Sequence, residues 1–405
     1  MNSITKTQKV SKIFESFCLL LFVSMFIRVY SFIGNTDASE LNLPILVFIE
    51  FFAIVFGFAK AVSLHKISFN SFELSAVIFW FWSCFSTIAN ESDVKALIKD
   101  LLFQSFWLVV FLFFSVYFKD RKKNREINFV FKVAYIFMII TGVYYIIWSL
   151  TRPALVLPGT VNTVYYPFML LPLVFTRKKK LPIVLGVLII LFATLISEKR
   201  TALIALVLAL VVPIIINPNS KRKSKIKRTV LFLFIGLAVV FVAYLFVLYF
   251  EIDIIGRFMN LSTDGGSGRN HIYATVWNSI QNLSVKDLFI GNGFNGVAKD
   301  KVVMLIDSNV FGFEYTSAHN DFLEILYDYG VIGLLLYALF LVQMLKTLFK
   351  LYVNRSRYFS MALSATILYL VVSTSSHLII YPTYIVFLLL FMSIASNRFG
   401  KGEKG

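Results

Sequence analysis

The chain has 405 residues, of which 58% are hydrophobic, and its formal net charge is +17. Its mean hydropathy of +0.79 excludes an ordinary soluble domain and indicates helices embedded in a lipid bilayer. The positive charge does not indicate nucleic-acid binding, because the basic residues occur in short groups between apolar segments without interleaved aromatic residues.

The apolar segments predict an all-α polytopic membrane protein, since a helix needs about 20 apolar residues to cross the bilayer. About twelve transmembrane helices are expected, at residues 13–33, 41–62, 69–89, 97–118, 127–150, 160–176, 181–197, 201–217, 229–250, 331–349, 358–375 and 378–396. Residues 1–251 then carry spans one to nine. Residues 252–321 form one large external loop that contains short helices. Residues 322–405 carry the last three spans and a short cytoplasmic tail.

Loop charges predict the orientation of the chain. Lys and Arg accumulate in alternate loops, for example residues 119–125, 221–228 and 346–357, and the positive-inside rule places these loops in the cytoplasm. Twelve spans then put both termini in the cytoplasm and the loop 252–321 outside. The N-terminal apolar run lacks a small-residue cleavage site, so we expect a retained first span and not a signal peptide.

The cysteines and the acidic residues do not indicate a metal site. Cys18 and Cys84 both lie within apolar spans, so we expect two free thiols and neither a disulfide framework nor a zinc site. No cluster of carboxylates and no histidine pair has the spacing of metal ligands.

Several basic residues fall on the predicted outer side, where Lys and Arg should be scarce. They are Arg152, Lys199, Arg200, Arg257 and Arg269. Lys199 and Arg200 are the clearest case, because they lie between two spans with almost no loop to solvate them. A charge held there is costly, which makes these residues candidates for a functional site. The alternatives are an ion pair with Glu198 or extension of the side chains to the lipid headgroups. Arg152 is interpreted as an interfacial anchor.

Arg269 follows the glycine-rich run 264–268 and precedes a predicted surface helix. Apolar residues recur at helical spacing, at Ile272, Val276, Ile280 and Leu283. Arg269 would therefore lie at a helix N-terminus, where backbone dipoles also favour an anion. No strand precedes the glycines, so a nucleotide-binding loop is not indicated. A second turn cluster contains Gly291 and Gly293. These glycines either only end the helix in a loop or also shape the site, and both interpretations remain open.

His319 precedes another predicted helix start. Asp321 and Glu324 have capping-box spacing, so the helix should begin near Asn320 or Asp321. The helix dipole would disfavour an imidazolium, leaving a neutral imidazole that can accept a proton near pH 7. The alternative is a histidine without a special role.

Two other histidines are predicted on the outer side. His271 and His377 could each contribute a second polar group to the site, and His65 falls in a cytoplasmic loop.

Three segments resemble motifs of the O-antigen ligase and polymerase superfamily. They are Ser197-Glu198-Lys199-Arg200-Thr201-Ala202-Leu203; Ser267-Gly268-Arg269 followed by Trp277 and by Leu288-Phe289-Ile290-Gly291-Asn292-Gly293-Phe294; and Ala318-His319-Asn320-Asp321-Phe322-Leu323-Glu324 followed by Gly330 and Gly333. They occur in the family's order, over about a third of the chain. One departure is Glu198-Lys199, which places charge where the family is often small and neutral.

The resemblance implies a glycosyltransferase of the bacterial inner membrane, with its active site facing the periplasm. The donor would be a glycan on undecaprenyl diphosphate, and the acceptor another glycan or the lipid A core. Arg200 and Arg269 would bind the diphosphate, and His319 would deprotonate the acceptor hydroxyl. Neither a metal nor another cofactor is implied. The expected substrate-binding residues are Lys199, Asn320, Asp321, Gly291 and Gly293.

Polymerase and ligase share these motifs and differ in the acceptor. We favour a polymerase, because each polysaccharide locus tends to need its own and cells without lipid A still use one. Expected partners are membrane lipids and a chain-length regulator, but no nucleic acid. A lipid-linked glycan flippase is the alternative from another class, although no pair of corresponding halves is visible. A membrane scaffold would leave the outer arginines unexplained.

Overall fold

The computed structural model describes residues 12–24, 47–56, 69–119, 124–151, 164–176, 179–197, 199–219, 230, 269–300, 317–376, 378 and 382–397. All regular elements in these ranges are helical. The helices are α1 (12–24), α2 (Val47–Phe56), α3 (Ser71–Asn90), α4 (Val94–Phe118), α5 (Asn124–Thr151), α6 (Tyr165–Phe168), α7 (Lys180–Ile196), α8 (Arg200–Ile216), α9 (Arg269–Gln281), α10 (Val285–Ile290), α11 (Gly296–Lys299), α12 (Asp321–Val353), α13 (Phe359–Ser373) and α14 (Pro382–Asn397).

Within the described ranges, four helices are long and apolar enough to cross a membrane: α3, α4, α5 and α12. Shorter apolar helices accompany them, including α7, α8 and α13. This architecture agrees with an integral, polytopic membrane protein. The number of twelve spans stays a prediction, because the ninth, at 229–250, lies outside the described residues except for Val230.

The structure differs from the predicted regular helix at 160–176. Four residues form α6, and Leu171–Thr176 form a 3-10 helix, in a segment that is almost entirely buried. Pro167 and Pro172 explain the difference. Proline lacks the backbone N–H and its ring clashes with the preceding turn, so two prolines five positions apart prevent a continuous α-helix.

The helices pack in pairs around a main apolar core, and a smaller buried cluster lies between α9, α11 and the start of α12. α12 packs against α3, α14 against α4, α8 against α13 and α5 against α7. The core is rich in phenylalanine, and α3, α4 and α12 contribute many of its buried rings. These pairings bring the start of α8, the start of α12 and the end of α13 to the same region of the molecule.

A kink at Gly330 interrupts α12 in the middle of the bundle. Gly330 has φ 67° and ψ −173°, outside the helical region. The Trp82 indole N–H donates to the carbonyl of Tyr329 at 2.9 Å, and the Ser86 hydroxyl donates to that of Asp328 at 2.9 Å. An unpaired carbonyl inside a bilayer is costly. These side chains of α3 therefore supply partners at the kink.

The loop after α10 docks on the same kink through its backbone. A Cβ on Gly291 would lie 2.2 Å from the carbonyl oxygen of Asp328, and one on Gly330 would lie 2.4 Å from that of Phe289. Both glycines have positive φ, which other residues rarely adopt. The N–H of Gly293 donates to the Asp328 carbonyl at 2.8 Å. Glycine is thus required here so that two backbones can approach each other.

Candidate functional site

Three basic side chains from three separate segments lie close enough to influence one another. Lys199 is the N-cap residue of α8, Arg269 is the first residue of α9, and His319 directly precedes Asn320, the N-cap residue of α12. The charge of Arg269 acts on both Lys199 and His319, and the charge of Lys199 acts on His319. We call these three residues the basic cluster.

The basic cluster lies at the beginning of three helices. The N-terminus of a helix carries a partial positive charge and several backbone N–H groups without partners inside the helix. At the start of α8 the side chain of Lys199 makes no capping hydrogen bond. Fixed side-chain charges and helix termini therefore combine to favour a bound anion at this place.

His319 is held as a neutral imidazole. It is partly buried, and burial together with the charges of Arg269 and Lys199 lowers the pKa of His319 to about 3. The neutral form agrees with the expectation from the sequence, but its main causes here are burial and two cations. His319 also adopts φ 50°, in the left-handed region. The local backbone therefore turns sharply just before α12.

Lys199 is held over an aromatic ring. Its Nζ lies 4.8 Å from the centroid of Tyr165, whose side chain is buried in α6. Burial and the charge of Arg269 lower the pKa of Lys199 to about 7. The ring face stabilises the cationic form in an otherwise unfavourable environment. The charge of Lys199 is consequently sensitive to any anion that binds beside it.

Tyr273 joins α9 to the other two elements of the site. Its hydroxyl lies within hydrogen-bond distance of the carbonyl oxygens of His319 (3.2 Å) and Thr374 (3.3 Å). The Asn320 side-chain amide donates to the same Thr374 carbonyl at 3.3 Å. The sequence analysis missed Tyr273, although its position four residues after Arg269 places it on the same side of the helix.

Asn320 begins α12, as expected from the sequence. Its side-chain oxygen accepts from the N–H groups of Phe322 at 2.9 Å and Leu323 at 3.3 Å. Asp321 and Glu324, the two acidic residues of the first turn, bond to backbone outside the helix. Asp321 accepts from the N–H of Leu378 at 2.8 Å, and Glu324 accepts from the N–H of Ala318 at 2.6 Å.

Both of these carboxylates have no exposed surface. Asp321 ties the chain after α13 to the start of α12, and Glu324 fixes the loop that carries His319. The structure therefore places the predicted substrate-binding residue Asp321 beneath the site surface, in a bond that orders the backbone.

Gly291 and Gly293 do not lie in the basic cluster. They contact α12 at Asp328, which is about 10 Å along the helix axis from Asp321. Asp328 also accepts from the N–H of Asn295 at 2.9 Å. Gly291 and Gly293 hold the loop after α10 against α12, and α12 connects them to the basic cluster.

Arg200 follows Lys199 as the first residue of α8 and is partly buried. His271 is also partly buried, two residues after Arg269 in α9. Other residues of the sequence analysis lie outside the described residues: His65, Arg152, Glu198, Arg257, the run 264–268 and His377.

The described residues contain no group of three or more His, Cys, Asp or Glu side chains that could hold a metal ion. Cys18 and Cys84 are both free thiols, and Cys18 is buried. Independence from metals stays a prediction that requires a measurement on the enzyme.

Comparison with protein families gives a match over the part of the chain that builds the site. Residues 185–338 match the family model described as O-Antigen ligase. The resemblance to the O-antigen ligase and polymerase superfamily is confirmed over this segment. The matched segment contains Lys199, Arg269 and His319, and the family indicates a membrane glycan transferase of the O-antigen ligase type. None of the curated proteins matches the chain.

Proposed function

We propose that the protein is the polymerase of an O-antigen or capsule-like surface polysaccharide. It would transfer an oligosaccharide from undecaprenyl diphosphate to a hydroxyl of a second lipid-linked repeat unit. The observation that carries the donor assignment is the basic cluster at three helix N-termini, within the segment that matches the O-antigen ligase model. Within such a donor, the diphosphate is the anionic group that this cluster of positive charges would bind. The choice of a polymerase over a ligase rests on the expectation that each polysaccharide locus needs its own polymerase.

The charge balance of the cluster supports an anionic ligand. Arg269 lowers the pKa of both Lys199 and His319, so the three groups repel one another when they are protonated. A bound diphosphate would replace this repulsion with attraction. The guanidinium of Arg269 matches phosphate in a two-pronged contact and stays charged at any relevant pH. Arg200, the next residue after Lys199, is the second arginine that we assign to the donor.

The reaction would be a single displacement. The acceptor oxygen attacks the anomeric carbon of the donor, a new glycosidic bond forms, and the bond from that carbon to the diphosphate oxygen breaks. The bonding electron pair leaves with the diphosphate, whose growing negative charge the cations stabilise. The hydroxyl proton passes to the neutral imidazole of His319. One displacement inverts the configuration at the anomeric carbon. The donor stores the required energy, so neither a nucleotide nor another cofactor is needed.

We infer that this reaction occurs on the outer side of a bacterial cytoplasmic membrane, and the alternation of basic loops supports that orientation. The lipid chain of the donor would stay in the bilayer beside the apolar helices, while its diphosphate reaches the basic cluster. Product length would then depend on how long the growing chain stays bound, which is where a chain-length regulator would act.

A purified sample in lipid nanodiscs tests the proposal. Given only undecaprenyl diphosphate that carries the repeat unit of the producing cell, a polymerase makes a ladder of longer glycans. A ligase forms no product until lipid A core is added. Movement of the lipid-linked glycan across a vesicle membrane without a new glycosidic bond would establish a flippase and contradict the proposal.

A further inference from the structure

One edge of α9 carries three side chains in a row that winds around the helix. Arg269, Tyr273 and Trp277 are spaced four residues apart, so at 3.6 residues per turn each lies about 40° around the axis from the one before. The neighbouring face of the helix is buried, through Ile272 and Val276 among others. The edge therefore runs between the packed face and the surface, away from the basic cluster.

Trp277 ends this row and is exposed. Its side chain is 46% exposed, whereas Tyr273, one turn earlier, is anchored to the carbonyl of His319. Trp277 lies about 12 Å from Arg269 along the helix axis. A ligand whose diphosphate contacts Arg269 would thus pass Tyr273 and reach Trp277 only with groups well beyond its first sugar.

The surroundings of Trp277 are polar. Asn270, Asn278 and Gln281 are exposed on the same side of α9, and their amides can both donate and accept hydrogen bonds. A flat apolar ring surrounded by amides suits a sugar, which has apolar C–H faces and hydroxyl groups at its edges. Amides would be poorly placed in lipid hydrocarbon.

We propose that Trp277 is a stacking platform for a sugar ring of the glycan, at a subsite beyond the diphosphate. This inference rests on the proposed function and adds the glycan-binding direction to it. The glycan runs from the basic cluster along the edge of α9, and the amides around the indole bind its hydroxyl groups. Trp277 contacts the substrate without taking part in the bond-making step.

Binding of three probes to the full-length protein in nanodiscs tests the inference. The probes are undecaprenyl diphosphate alone, the same lipid with the repeat unit, and the free oligosaccharide. Trp277→Ala should weaken binding of the lipid-linked repeat unit roughly tenfold, the size expected for loss of one aromatic stack. It should leave binding of undecaprenyl diphosphate unchanged, and Trp277→Phe should retain most of the affinity.

Phe289→Ala is the matched control, because Phe289 is 49% exposed in the neighbouring helix α10 but does not belong to the edge. It should bind all three probes normally. Loss of affinity for the lipid-linked repeat, with or without loss for the free oligosaccharide, supports the inference. Loss for the free oligosaccharide alone would assign the stack to a separate acceptor and overturn the proposed direction of the glycan.

Equal weakening of all three probes by Trp277→Ala would overturn it and indicate a membrane anchor or a structural residue. Unchanged binding of both glycan probes would overturn it as well. Failure of the proposed function would appear separately, as normal binding of undecaprenyl diphosphate to an Arg269→Ala variant.

Discussion

The phenol oxygen of Tyr273 lies 3.2 Å from the carbonyl oxygen of His319 and links α9 to the start of α12. The two residues are 46 positions apart in sequence. The bond fixes the backbone of His319 relative to Arg269, which lies one turn before Tyr273 on the same helix. In the proposed reaction, the distance between His319 as the base and Arg269 as the diphosphate-binding group thus depends on this bond of Tyr273.

Tyr273→Phe should therefore lower kcat without a matching change in donor affinity. Loss of one such hydrogen bond corresponds to roughly a 2- to 10-fold effect. Tyr135→Phe is the control, because the Tyr135 hydroxyl donates to the Pro182 carbonyl at 2.7 Å, between α5 and α7. Tyr135→Phe should lower thermal stability about as much as Tyr273→Phe does and leave kcat unchanged. Normal kcat in Tyr273→Phe, or the same loss in both variants, would remove the positioning role.

The pH dependence of the rate tests His319 as the general base. With a pKa of about 3 in the free protein, His319 is neutral above about pH 4, and kcat/KM should show no fall due to this residue between pH 7 and pH 4. The bound diphosphate raises the pKa of the imidazole, so the acid limb of kcat should lie at higher pH than that of kcat/KM.

His319→Ala should slow transfer by about two to four orders of magnitude and abolish this limb of kcat. His271→Ala, which removes the other described histidine near the site, should retain both the rate and the limb. A His319→Ala enzyme with the wild-type acid limb would assign the base to another residue.

The lowered pKa of Lys199 predicts a second effect of pH, on the affinity for the donor. Because the pKa of Lys199 is lowered to about 7, this side chain loses its proton as pH rises above neutrality in the free protein. A bound anion raises that pKa, so binding takes up a proton. Affinity for the lipid-linked repeat should be constant below about pH 6 and decrease as pH rises through 7 and beyond. The donor's own charge is constant there, since each of its phosphates carries one ester and one anhydride bond and keeps only a strongly acidic group.

Lys199→Gln should bind the donor weakly, with an affinity that no longer changes between pH 6 and pH 9. Isothermal titration in two buffers of different ionisation enthalpy measures the proton uptake directly. An unchanged pH dependence in this variant would show that another group titrates.

Two substitutions of Asp321 distinguish a structural role of its carboxylate from a catalytic one. It is fully buried and accepts from the N–H of Leu378. Asp321→Asn keeps an oxygen acceptor, so the variant should fold and retain activity. Asp321→Ala leaves a buried N–H without this acceptor, at a cost of about 1–3 kcal/mol, and should lower the melting temperature. An Asp321→Asn protein that folds normally but transfers no glycan would assign the carboxylate to catalysis.

The local features of the site were predictable from sequence because they depend on near neighbours. The apolar spacing of Ile272, Val276 and Ile280 predicted α9 and its buried face. The capping-box spacing of Asp321 and Glu324 predicted a helix start near Asn320 or Asp321, although the N-cap residue of α12 is Asn320 and those two carboxylates bond elsewhere. The concentration of cations in predicted outer segments pointed to Lys199 and Arg269. Each inference needed only a few consecutive residues and a known period.

The long-range contacts could not be predicted in the same way. Nothing in the neighbourhood of Tyr165 shows that its ring will lie under Lys199, and the need for glycine at Gly291 arises from a backbone 37 positions later, at Asp328. The break at 164–176 was visible in the sequence, in Pro167 and Pro172, but hydropathy alone did not reveal it.

Direct binding of undecaprenyl diphosphate tests the central claim, that the basic cluster holds the diphosphate of the donor. Arg269→Ala should abolish measurable binding and glycan transfer at a normal melting temperature, Arg200→Ala should weaken both, and Lys at either position should restore them only in part because a point charge lacks the two-pronged contact. Lys286→Ala, which removes an exposed charge from α10, is the control for net charge and should bind normally. Wild-type affinity in Arg269→Ala, or an equal loss in Lys286→Ala, would contradict the claim.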